Sequence, residues 1–66
     1  MKKFRVEVGQ IAETSYSCFS VSMGDFRVEA DTVKEVISIA LSLAKDSGID
    51  DAVILNINCE DIIYDL

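Results

Sequence analysis

Apolar and polar residues alternate from the start of the chain. Phe4, Val6 and Val8 are separated by Arg5 and Glu7, the period-two pattern of a strand with one buried and one wet face. Gly9 is expected to end this first strand, with Gln10 to Ser15 as a loop. Alternation resumes in SYSCFSVSM and again in FRVEA. Gly24 and Asp25 lie between these two runs and fit a two-residue hairpin turn of Gly-X type. In that register Met23 faces Phe26, Val21 faces Val28 and Phe19 faces Ala30, so the apolar residues share one side. Ser22 opposite Arg27 and Ser20 opposite Glu29 take the other.

The period then lengthens. Thr32 followed by Glu35 is a capping box, and a helix is expected from Val33 to about Asp46. Gly48 is placed to take the left-handed position after the helix, with Ile49 folding back. Val33, Val36, Ile37, Ile39, Ala40, Leu41, Leu43 and Ala44 cover an arc of roughly 200°, whereas a helix on one sheet needs a little over ~100°. The excess flank predicts an oligomer interface at Ile39, Leu43 and Val36, joined by Ile54. In the last run, DAVILNINC, Val53, Leu55, Ile57 and Cys59 are expected on the core face, and Ala52, Ile54, Asn56 and Asn58 on the other.

Together these elements predict one domain over residues 1–66. Its expected class is α+β, a two-layer β-β-β-α-β arrangement. One helix covers one face of a four-stranded mixed sheet of order 3-2-1-4, with the fourth strand parallel to the first. The stretch FRVEADTVKEVISIALSLA, from Phe26 to Ala44, together with the meander before it, resembles the small β-β-β-α-β domain of HicB-type antitoxins. That resemblance implies a protein that neutralises another by surface contact. The chain departs from the family in its tight Met23–Gly24–Asp25 turn and in having no room for the DNA-binding module that usually follows. No site residue carries over.

Composition narrows the chemistry. Half of the 66 residues are apolar, yet a chain this short buries only about 60% of the surface of its unfolded form. Domains of this size use a disulfide, a metal or association as a staple. With no His and two Cys, Cys18 and Cys59, a structural zinc site is not expected, and neither is any other metal or cofactor. The two Cys read as reduced thiols of a cytoplasmic protein. Association, as a homodimer, is the expected staple. No apolar run approaches the ~18 residues of a membrane span, so no membrane partner is expected.

Twelve acids against six bases give a net charge of −6, which argues against direct nucleic-acid binding. The bases Lys2, Lys3 and Arg5 crowd the start, and none follows Lys45. Catalysis has no support: no imidazole is present to activate Cys18 or Cys59, and the acid pairs Asp50–Asp51 and Glu60–Asp61 are adjacent residues that point apart in a strand. The chain is therefore expected to be a non-enzymatic protein-binding module. It would inhibit or modulate a larger, more basic partner, in the manner of an antitoxin or of a phage or mobile-element inhibitor. The expected partner-binding residues are Glu60, Asp61, Ile62, Tyr64, Asp65 and Leu66, with Asp50 and Asp51. Two alternatives stand beside it. One is a homo-oligomer that holds an anion or nucleotide through Arg5, Arg27, Ser20, Ser22 and Tyr16. The other is a nucleic-acid mimic whose carboxylates include Asp25, Glu29 and Asp31.

Overall fold

A computed structural model describes residues 1–60 of the chain. The alternation of Phe4, Val6 and Val8 does not stop at Gly9. It continues through Gln10 and Ala12, so that β1 runs from Lys2 to Glu13. A four-residue turn follows, held by the Thr14 hydroxyl, which accepts the backbone N–H groups of Tyr16 and Ser17 at 3.2 and 3.0 Å. The chain returns as β2, Cys18–Ala30, then enters α1, Val33–Asp46, and finishes the described fold with β3, Val53–Cys59. Among the described residues the sheet has three strands in the order β2-β1-β3, and both neighbouring pairs are antiparallel. The fold is α+β, with α1 packed on one face.

The expected four-stranded mixed sheet of order 3-2-1-4 is thus overturned. Its second and third strands are one strand, β2. Gly24 and Asp25 make no turn: they pair with Val8 and Glu7 in mid-strand, and Gly24 does not have a positive φ, which a Gly-X turn requires at its first residue. The register instead shifts between Val8 and Gly9, where Met23 is an extra residue on β2. The strand after the helix lies beside β1 but antiparallel to it, not parallel. It too carries a register shift, with Leu55 as the extra residue. A one-residue bulge moves every side chain beyond it to the opposite face. Ile54 therefore joins Val8 on the helix side, while Val53 pairs with Gly9 on the open side, the reverse of their expected places.

The helix forms as its sequence dictates. Thr32 is extended and its Oγ1 accepts the Glu35 N–H at 3.2 Å, while the Glu35 carboxylate accepts the Asp31 N–H at 3.5 Å. At the other end Gly48 takes φ 86°, its N–H reaching Lys45 O at 3.0 Å, and Ile49 N–H reaches Ala44 O at 2.9 Å. That is the Schellman stop. Between helix and sheet lies a small core of Phe4, Val6, Val8, Val28, Ala30, Val36, Ala40 and Ala44. Ala40 and Ala44 let the helix sit close to the strands. Phe26, Leu43, Ile49, Ile54 and Ile57 close the sides.

Candidate functional site

Two surfaces stand out once the register is known. The first is the distal part of the β1–β2 hairpin. A helix of 14 residues spans about 21 Å, which covers roughly six residues of strand, while a 12-residue strand spans about 40 Å. The helix starts at the Ala30 end of β2, so its cover runs out near the bulge. β3 also leaves β1 at Gly9, its last pairing. From Gln10 to Glu13 and from Cys18 to Ser22 the sheet is a bare two-stranded ribbon, paired Gln10 with Val21, Ile11 with Ser20, Ala12 with Phe19 and Glu13 with Cys18. We call it the arm. Its helix-side face carries Ala12, Phe19 and Val21 in line with the core residues. At its base the Gln10 side chain donates to the Asp50 carbonyl at 2.6 Å, and Ala12 is half-buried, but Phe19 is 49% exposed and Val21 41%. Ile11, Met23 and the tip residue Tyr16 are also exposed. The radius of gyration is 13.6 Å, where a compact domain of this length has about 11 Å.

The second surface is the sheet face that α1 leaves open. Its side chains stand in crosswise rows set by the pairing. Arg5 lies between Arg27 and Asn58, and the next row places Glu7 between Asp25 and Asn56. Arg27 holds a long ion pair with Glu60 at 3.8 Å, and Glu7 accepts from the Ser22 hydroxyl at 3.2 Å. Two shallow depressions open here. One is bordered by Lys3, Arg27, Glu29 and Glu60, the other by Arg5, Glu7, Asp25, Asn56 and Asn58. Each mixes both signs of charge, which suits neither a simple anion nor a simple cation. Among the described residues no group of three or more His, Cys, Asp or Glu is gathered as a metal site.

The residues expected to bind a partner are not gathered by the described structure. Asp50 and Asp51 precede β3 near Gly9, and Glu60 follows it beside Lys3, so the strand separates them. Asp61, Ile62, Tyr64, Asp65 and Leu66 lie outside the described residues. Of the expected oligomer interface, Val36 is fully buried against the sheet, and Leu43 and Ile54 pack on the same core. Ile39 is exposed, at 39%. The set considered for an anion is dispersed: Arg5 and Arg27 share a row, but the acids of the next row separate them from Ser20 and Ser22, and Tyr16 stands at the arm tip.

The arm was hidden in the sequence because Phe19 and Val21 alternate as core residues do. The length mismatch between one 14-residue helix and a much longer hairpin is the signal that exposes it. Among the described residues no helix is long and apolar enough to cross a membrane. Cys18, on the arm, and Cys59, at the far end of β3, are both free thiols. No protein-family model, curated protein or solved structure matches the chain.

Proposed function

We propose that the chain is a non-enzymatic protein-binding module that inhibits or modulates a larger partner, and that the arm is its contact surface. One observation carries this reading: Phe19 and Val21 continue the core face past the end of the helix and are left exposed. A two-stranded ribbon is marginal in water by itself, and an apolar row on it gains most when something covers it. From Gln10 to Ser22 the arm has no basic residue, and Glu13 is its one charge. The surface is therefore apolar and serine-rich, with a single acid. It fits an apolar groove with a basic rim on the partner. The outer half of β1 also has an open edge, since β3 ends its pairing at Gly9, which would let a partner strand be added there.

The test is site-specific photo-crosslinking in the native host. A photoreactive residue at Phe19 should give one discrete adduct heavier than two copies of the 7.3 kDa chain. The same residue at Val33, equally exposed but at the start of the helix, should give none. Equal labelling from both positions, or no heavy adduct from Phe19, would remove the arm as the contact surface.

A further inference from the structure

The open sheet face carries a charge pattern that is unfavourable in one chain and complementary between two. Arg5 on β1 is directly opposite Arg27 on β2, and in the next row Glu7 is directly opposite Asp25. Like charges in direct cross-strand register destabilise a sheet. The fold could relieve them by diagonal ion pairs between the rows, yet among the described residues neither Arg5 nor Asp25 makes one. Arg27 has only its long pair with Glu60, on a side chain that is 75% exposed and thus easily redirected. Arg5, Arg27, Asp25, Asn56 and Asn58 are exposed, and Glu7 is half-buried.

We infer that this face binds the same face of a second copy, about a two-fold axis that runs crosswise over the strands at the level of Val6. Rotation about that axis keeps each strand over its own counterpart but reverses its direction. The arginine row of one copy then lies on the acidic row of the other. Arg5 meets the partner copy's Glu7, Arg27 meets its Asp25, and Asn58 meets its Asn56, each pair occurring twice by symmetry. A two-fold axis along the strands would instead set Arg5 on Arg5, so the pattern selects one orientation. Facing sheets pack about 10 Å apart, a gap that an arginine and a carboxylate side chain together can bridge. The rows that overlap about this axis, residues 2 to 10 of β1 with their neighbours on β2 and β3, span roughly 30 by 15 Å, which is the size of a small, salt-sensitive contact and not of a large permanent one. A second copy also answers the mixed charge of the two depressions, which no ligand of one sign would. The arm's apolar row is on the helix side, so this pairing leaves it uncovered and sends the two arms to opposite ends. The inference is independent of the proposed contact through the arm.

Charge reversal tests it directly. The dimer should dissociate between about 0.01 M and about 1 M salt, as the screening length falls from ~30 Å to ~3 Å. Arg5→Glu alone and Glu7→Arg alone should each raise the dimer dissociation constant at least about tenfold at low salt, measured by sedimentation velocity. The two single variants mixed together should associate again, because every reversed residue then meets its opposite. Arg5→Glu with Glu7→Arg in one chain should also restore the dimer. Phe19→Asp should leave it unchanged. A wild-type chain that is monomeric at low salt, a mixture that stays monomeric, or a dimer lost through Phe19→Asp would overturn the inference. The last result would place self-association on the arm instead.

Discussion

At Gly9 the two neighbouring strands press on β1 from both sides. A Cβ added there would collide with the backbone carbonyl of Val21 and come within 2.7 Å of the Leu55 side chain. The β2 bulge falls beside this residue and the β3 bulge one residue earlier, between Glu7 and Val8, and the missing side chain on the central strand leaves room for Val21 and Leu55 to approach. Gly24 is the opposite case. It sits in an extended strand with open space where its Cβ would be. Gly9→Ala should therefore destabilise by about 1–3 kcal/mol through overpacking. Gly24→Ala should be neutral or stabilising by up to about 1 kcal/mol, because glycine in a strand costs entropy. Urea midpoints of the two variants decide the matter. A large loss at Gly24 with none at Gly9 would restore Gly24 as a turn residue. Sequence alone gave the two glycines reversed roles, because each is flanked by strand-like alternation and neither shows its neighbours.

The misplaced turn has a physical cause at the level of elements. Along β2 the apolar residues Phe19, Val21 and Met23 fall on odd numbers, and Phe26, Val28 and Ala30 on even ones. A two-residue hairpin loop produces that change of parity, and so does a one-residue bulge in a continuous strand. The pattern thus places Phe19, Val21, Phe26 and Val28 on one face in either case, and does not say whether the chain turns. The helix was legible throughout, because its start and stop are local: Thr32, Glu35, Gly48 and Ile49 act within one turn of themselves. Register between strands depends on residues far apart, and so does the direction of β3. The structure makes β1 an element of two halves. Its inner half is paired on both sides and roofed by α1; its outer half is paired to β2 alone. Hydrogen exchange should follow this division. Amides of Phe4 to Val8 should be the slowest, and those of Gln10 to Glu13 and Cys18 to Val21 at least about tenfold faster. Uniform protection along β1 would mean that the arm belongs to the cooperative core or is covered in solution.

For the whole molecule, the arm and the core make separable demands. Among the described residues the largest side chains with essentially no exposure are Val6, Val8 and Val36, and none lies on the arm. A 66-residue chain with so small a core has little stability to spare, yet it extends about a fifth of its length into a ribbon that buries little. That allocation makes sense if the ribbon is kept for contact and not for folding. Removing its outer part tests the point. Ile11 and Ser20 are directly paired, so residues 12–19 can be replaced by Asn-Gly, a two-residue loop suited to a hairpin. The shortened chain keeps Gly9, both bulges and every core residue. It should fold with a stability within about 1 kcal/mol of the parent, since surface changes away from a core cost little. Its radius of gyration should fall from 13.6 Å towards about 11 Å. The salt-sensitive dimer should persist, because Arg5, Glu7, Asp25 and Arg27 remain, while crosslinking to a heavier partner should vanish. If the shortened chain does not fold, the arm is a stabilising element, and its exposed Phe19 and Val21 are no longer a reason to read it as a binding surface.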